Sequence, residues 1–175
     1  MENNNRPQIL DSGDRTEFAS GAVRDMREGK GRCDLLPLDV VAEYFFKLCG
    51  DKNPTSTILG NISRFMTNND LDCLFKCLNV FINDIRVKFD SPYTMFLEVA
   101  KHFEEGAKKY GENNWQKGIP VRCYIDSAIR HYFKWLRCDH DEPHDKAFCW
   151  NIICAIWTCK NKPELNDYRK EDTNG

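Results

Sequence analysis

Apolar side chains in the middle of this chain recur with the period of an α-helix. Between residues 70 and 86 they fall three or four positions apart, at Leu71, Leu74, Phe75, Leu78, Phe81, Ile82 and Ile85. This spacing places them on one face of a helix, whereas a half-buried strand needs alternation every second residue. No stretch of the sequence shows convincing alternation. The pattern therefore predicts an all-α fold, most simply a helical bundle.

Prolines, glycines and turn residues divide the rest of the chain into further helices. Pro37 can open one helix, and Pro143 suits the first turn of another that ends near Cys159. The remaining predicted helices cover about 56–67, 70–86, 92–110 and 121–137. We expect one domain over residues 18–159, with flexible polar tails at 1–17 and 160–175.

Composition narrows the functional classes. The 175 residues are 41% hydrophobic and 30% charged, with a net charge of −2, which gives no strong electrostatic attraction to nucleic acid. No apolar stretch reaches the ~18 residues of a membrane span, and the N-terminus lacks an apolar signal core. We therefore expect a cytoplasmic protein without membrane or nucleic-acid partners.

The nine cysteines contain no CxxC pair, which favours reduced core thiols over a zinc site.

Residues 18–37 combine glycines with basic side chains. Arg24, Arg27, Lys30 and Arg32 lie among Gly21, Gly29 and Gly31. Backbone amides exposed by glycine, together with nearby cations, suit a phosphate group, although the P-loop pattern is absent. We predict an ordered loop; a solvated basic loop is the alternative.

The helix at 92–110 carries carboxylates on one face. Glu98, His102, Glu105 and Lys109 share that face, and Glu104 lies on a neighbouring stripe. Carboxylates arranged in this way can bind Mg²⁺. The alternative is a solvated face on which Glu105 and Lys109 form a surface ion pair.

The next two helices repeat this mixture of charge and imidazole. Asp126 and Arg130 are four residues apart, and His131 lies on an adjacent stripe, so these groups can bind phosphate, hold a metal or orient water. On the last helix, His144 and Asn151 flank the small Ala147. Asp141 and Glu142 precede that helix, where they could also serve as simple N-terminal charges. Three such faces in one bundle would make one polar pocket.

Four segments carry a resemblance to a known family. GAKKYGENNWQKGIP (106–120), YIDSAIRHY (124–132), DEPHDKAFCWN (141–151) and SGAVRDMREGKGRCDLLP (20–37) resemble the phage-encoded dATP/dGTP diphosphohydrolases. The resemblance spans 18–46 and 95–158, so 47–92 is predicted to be a helical insertion. It implies a fold related to the MazG-like pyrophosphohydrolases and cleavage of a purine deoxynucleoside triphosphate to monophosphate and pyrophosphate.

The resemblance also implies a set of site residues. The family pattern falls on Lys109, Tyr110, Asn114, Trp115, Asp126, Arg130, His131, Asp141, His144 and Asn151, and in the opening motif on Arg24, Lys30, Arg32 and Asp34. The E-x-x-E motif by which MazG-type enzymes hold Mg²⁺ does not occur here.

These observations lead to one hypothesis with assigned roles, an Mg²⁺- or Mn²⁺-dependent nucleotide pyrophosphohydrolase. The predicted catalytic residues are Glu104, Asp126, His131 and His144. The predicted metal ligands are Glu104, Glu105, Asp126 and Asp141. The predicted substrate-binding residues are Arg24, Lys30, Arg32, Lys109, Tyr110, Asn114, Trp115, Arg130 and Asn151.

Two other functions stay open. The same pocket could bind a purine nucleotide without cleaving it, as in a phage protein that sequesters a host nucleotide signal in antiviral defence. A helical adaptor without a ligand is the third alternative. The apolar helices between residues 47 and 92 also lead us to expect a homo-oligomer.

Overall fold

The computed structural model describes residues 14–25, 46, 53–84 and 92–168. Six α-helices and one small sheet make up these residues, which confirms the predicted all-α class. The elements, in chain order, are β1 (Arg15–Glu17), β2 (Val23–Asp25), α1 (Pro54–Asn68), α2 (Leu71–Ile82), α3 (Pro92–Tyr110), α4 (Asn114–Lys117), α5 (Val121–Leu136), α6 (His144–Asn161) and a 3-10 turn (Pro163–Leu165).

Local capping explains where α1 and α2 begin and end. The Asn53 side chain accepts a hydrogen bond from the Thr55 amide, and Pro54 fills the first helical position. Asn69 then adopts a left-handed conformation with a φ of 56°, which ends α1. Asp70 caps α2 by accepting from the Asp72 amide. The two helices therefore form a hairpin with a two-residue connection.

One contiguous apolar core joins this hairpin to the later helices. Phe81 of α2 lies against Tyr132 of α5 and Phe148 of α6, with ring centroids 6.1 and 4.6 Å away. The buried Tyr132 hydroxyl donates to Thr55 Oγ1 at 2.9 Å, which ties α5 to α1. Residues 53–84 thus share a core with the helices that bear the polar faces. None of the described helices has the length and apolar character that crossing a membrane requires.

The small sheet consists of two strands that the sequence pattern did not indicate. β1 pairs with β2 in antiparallel register, with Thr16 opposite Arg24. Strands of three residues are too short to show readable alternation, and tertiary contacts hold them in place. Ser20 in the connecting turn donates from Oγ to the carbonyl of Gly118. Residues 15–17, which lie in the segment predicted as a tail, therefore form strand β1.

Contacts with the core also involve residues after 160, in the other segment predicted as a tail. α6 continues to Asn161, and Tyr168 lies edge-on against Phe65 of α1 with ring centroids 5.7 Å apart. Arg122 also pairs with Asp167 at 2.5 Å. The predicted tail at 160–175 therefore starts too early, because apolar and charged contacts extend to Tyr168. The helix predicted after Pro37, apart from Phe46, lies outside the described residues.

Four of the seven described cysteines are core thiols, whereas Cys123 and Cys159 are half-buried and Cys138 is exposed. Cys73, Cys77, Cys149 and Cys154 are buried and unpaired. Burial raises the pKa of the Cys149 and Cys154 thiols well above the usual value, so both stay protonated.

Candidate active site

Segments from both ends of the described chain enclose a cavity of about 1290 Å³. Its walls come from β2, α3, the connector that follows α3, α5 and α6. The predicted site residues that line it are Arg24, Glu104, Tyr110, Asn114, Trp115, Arg130, His131 and Asn151. Ala147 also lines it, as expected for a small residue between two polar groups. The cavity is therefore where the three polar faces meet.

Arg24 brings a cation to the cavity from the N-terminal sheet. Its Nη2 donates to Ser127 Oγ at 2.7 Å and to Asn151 Oδ1 at 2.8 Å. Its guanidinium carbon lies 5.3 Å from the centre of the Tyr124 ring, within cation–π range. The buried Nη1 has no hydrogen-bond partner among the described residues. Arg24 is thus fixed on one side and has donor capacity left on the other.

β2 is held in position by three further side chains. The Asn114 amide group accepts from the Val23 amide at 3.1 Å and donates to the Val23 carbonyl at 2.8 Å. Asp25 accepts from Lys109 Nζ at 3.0 Å and from the Tyr110 hydroxyl at 2.7 Å. Three predicted substrate-binding residues therefore anchor the strand that carries Arg24.

Asp126 and Arg130 form the ion pair expected from their spacing on α5. The Asp126 side chain is fully buried and that of Arg130 is 15% exposed. Arg130 Nη1 also lies 3.4 Å from Ser127 Oγ, so Ser127 is shared by two guanidinium groups. The two arginines give one wall of the cavity a positive charge, which suits an anionic ligand.

Two histidines meet at the contact between α5 and the start of α6. His131 Nδ1 lies 3.0 Å from His144 Nδ1. Glu142 Oε1 is 3.5 Å from the first nitrogen and 3.6 Å from the second. His144 Nε2 lies 2.7 Å from Asp141 Oδ1 and must donate to it, because a carboxylate only accepts.

The surroundings set the protonation of this cluster. Burial, reinforced by the charge that His144 can carry, lowers the pKa of His131 well below its usual value. His131 is therefore neutral near pH 7 and can accept a proton or bind a metal. A hydrogen bond from Lys134, joined by one from His144, lowers the pKa of Asp141 to about 2.

The same helices carry the family signal. Residues 83–168 match the family model described as dATP/dGTP diphosphohydrolase, N-terminal. The predicted resemblance is thus confirmed over α3 to α6, and the motifs at 106–151 lie inside the match. Comparison with curated proteins and with solved structures gave no match.

Within the diphosphohydrolase-family region, the predicted metal carboxylates are not brought together. Glu104 pairs with Lys108 at 2.5 Å, and its side chain is 63% exposed at the cavity edge. Glu105 is the next residue on α3, and its Oε2 lies 3.8 Å from His102 Nδ1. Asp126 is engaged by Arg130. Of the predicted metal ligands, only Asp141 belongs to a group that could hold a metal ion. The predicted binding residues Lys30 and Arg32 lie outside the described residues.

The diphosphohydrolase-family region also contributes residues to which the sequence assigned no role. Glu142 completes the histidine cluster, and Ser127 is shared by Arg24 and Arg130. His102 Nδ1 and Trp150 Nε1 are buried, line the cavity and have no hydrogen-bond partner among the described residues. Burial, followed by the charge of Lys146, lowers the pKa of His102 to about 4. Helical spacing placed His102 on a polar face of α3, but nothing in the sequence distinguished Asp25.

Proposed function

We propose that the protein hydrolyses a purine deoxynucleoside triphosphate to its monophosphate and pyrophosphate. The family description supplies the reaction and substrate class. The observation that carries the proposal is that two arginines and a neutral histidine with an adjacent carboxylate line one large cavity. Cations suit the polyphosphate, and a neutral base beside a carboxylate suits activation of water.

The reaction assigns a role to each group. A water oxygen forms a bond to the α-phosphorus, the bond from that phosphorus to the bridging oxygen breaks, and pyrophosphate leaves. The proton of the water passes to neutral His131 or to the adjacent Glu142 carboxylate, whose Oε1 lies 3.5 Å from His131 Nδ1. Arg24 and Arg130 bind the phosphate oxygens. Mg²⁺ or Mn²⁺ would neutralise the triphosphate, with Asp141 the predicted ligand nearest this cluster.

Aromatic side chains give the cavity a place for the purine. Trp115 and Phe103 both line the cavity, with ring centroids 5.2 Å apart, and Trp115 also packs edge-on against Trp157 at 4.9 Å. His102 Nδ1 and Trp150 Nε1 would hydrogen-bond the ring edge or the sugar. Such buried polar atoms discriminate between ligands because a ligand that leaves them unpaired binds poorly.

A nucleotide-binding protein without catalysis is the alternative, with sequestration of a host nucleotide signal by a phage protein as its biological form. The separation of Glu104, Glu105 and Asp126 into different pairings favours it. In that reading, Arg24 and Arg130 bind the phosphates, and the histidine cluster makes no chemical contribution.

One experiment separates the two functions. The purified protein is incubated with dATP, dGTP and cyclic nucleotides, with and without Mg²⁺ or Mn²⁺, and the products are separated by ion-exchange chromatography. We expect deoxynucleoside monophosphate and pyrophosphate from the triphosphates. His131→Ala should abolish the reaction, and His140→Ala is the matched control because His140 is exposed and outside the cluster. Recovery of intact nucleotide after denaturation would exclude hydrolysis and establish binding alone.

A further inference from the structure

We propose that His131, Glu142 and His144 bind one divalent transition-metal ion. Among the described residues they form a group whose ligand atoms lie within 4.8 Å of one another. The atoms concerned are the two Nδ1 nitrogens and Glu142 Oε1. Metal binding by these residues does not depend on the proposed function. A role of the ion in hydrolysis does rest on the proposed function.

The spacing of the three atoms matches a metal coordination sphere. They are separated by 3.0, 3.5 and 3.6 Å. A point equidistant from them lies about 2.0 Å from each, whereas zinc–nitrogen and zinc–carboxylate bonds are roughly 2.0–2.2 Å long. An ion therefore fits between the three atoms with little movement of the side chains.

The neighbouring carboxylate orients one of these ligands. Asp141 accepts from His144 Nε2, so the proton of a neutral His144 lies on that nitrogen and the lone pair on Nδ1. Lys134 holds Asp141 in turn, at 2.8 Å. Metal-bound histidines usually donate the N–H of their other ring nitrogen to a carboxylate in this way.

The donor set selects the kind of ion. Two imidazoles and one carboxylate suit Zn²⁺, Mn²⁺, Fe²⁺ or Co²⁺, whereas Mg²⁺ prefers oxygen ligands alone. His144 is fully buried, but His131 and Glu142 line the cavity. The remaining coordination positions can therefore take water or a phosphate oxygen, as in catalytic rather than structural sites.

A second group of three residues is less suitable. Asp139, Asp141 and His144 also lie within 4.8 Å of one another. However, both Asp139 oxygens accept from Arg137, at 2.8 and 2.5 Å, and Asp141 accepts from Lys134. An ion there would have to displace these bonds at the surface.

Metal content of the nucleotide-free protein tests the proposal. The protein is purified without a histidine tag, stripped with a chelator, and dialysed separately against Mn²⁺, Co²⁺, Zn²⁺ and Mg²⁺. We expect about one equivalent of transition metal by mass spectrometry, and Mg²⁺ should not be retained. His131→Ala and His144→Ala should lose the ion. Asp141→Asn should weaken binding about 10–100-fold, as outer hydrogen-bond partners of metal ligands do.

Controls separate this site from its neighbours. His140→Ala and Asp139→Asn should keep the ion, and loss on Asp139→Asn would instead place it in the surface group. X-ray absorption of the unmodified Zn²⁺-loaded protein should show scattering from two imidazoles, which needs no variant to fold. Absence of retained metal, or no imidazole scattering, would overturn the proposal even if nucleotide were hydrolysed. Bound metal without hydrolysis would overturn the proposed function and leave this site standing.

Discussion

His102 should make the protein less stable in mild acid. The side chain is buried on α3, and burial together with Lys146 lowers its pKa from 6.5 to about 4. Between these two values the unfolded chain binds a proton at this position and the folded protein does not. Stability is therefore fully present above pH 6.5 and decreases as the pH falls towards 4.

The size of the effect follows from the two pKa values. At about 1.4 kcal/mol for each pKa unit, His102 lowers the free energy of unfolding by about 2 kcal/mol at pH 5 and by about 3 kcal/mol at pH 4. His102→Phe keeps a ring of similar size beside Trp150 and removes the titrating group. Urea unfolding of both proteins at pH 7.5 and pH 5 measures the difference. The wild type should lose about 2 kcal/mol more than the variant.

The comparison cancels other titrating groups, including His131, because they remain in both proteins. His140→Phe, at an exposed position outside the cavity, serves as the control for the substitution itself. A difference below ~0.5 kcal/mol would refute the reasoning. It would mean that Glu105, 3.8 Å from His102 Nδ1, stabilises the protonated ring enough to offset burial.

Three further changes test the architecture around the cavity. Gly118→Ala should lower the thermal midpoint, at a cost in stability of about 1–3 kcal/mol. Gly118 has a φ of 123°, and an added Cβ would lie 2.6 Å from Leu165 Cδ1. Gly106→Ala, in open space on α3, should leave the midpoint unchanged. Asn114→Asp removes the donor to the Val23 carbonyl and should cost about 1–3 kcal/mol, and unchanged hydrogen exchange at residues 15–25 would contradict this role. Arg24→Met should weaken binding of a non-hydrolysable dATP analogue by about 1.5–3 kcal/mol in a fluorescence titration, and the exposed Arg64→Met on α1 should bind normally.

The sequence predicted the helices well because their ends are encoded locally. Pro54, Pro92 and Pro143 each lie at or next to a helix start, and Asn69 ends α1 in a conformation that asparagine tolerates. β1 and β2 carry no such local signal. Their position depends on Asn114 and Ser20, whose contacts join residues 91 and 98 positions apart.

Helical spacing predicted part of the cavity lining but not its geometry. Arg130, His131 and Asn151, from two of the predicted polar faces, all line the one cavity. Periodicity gives the face of a residue but not the distance between helices. It could not show that Glu104 lies at the exposed edge of the cavity. Nor could it show that Glu142, which reads as a simple N-terminal charge, joins two histidines.

The contact between Arg24 and Asn151 has a practical consequence for domain dissection. These residues are 127 positions apart, and Arg24 lies outside the segment 83–168 that carries the family match. A fragment trimmed to that segment would lack Arg24, the strand that holds it and the helical hairpin that completes the core. Such a fragment would probe an incomplete cavity, so a negative assay on it would say nothing about the intact chain.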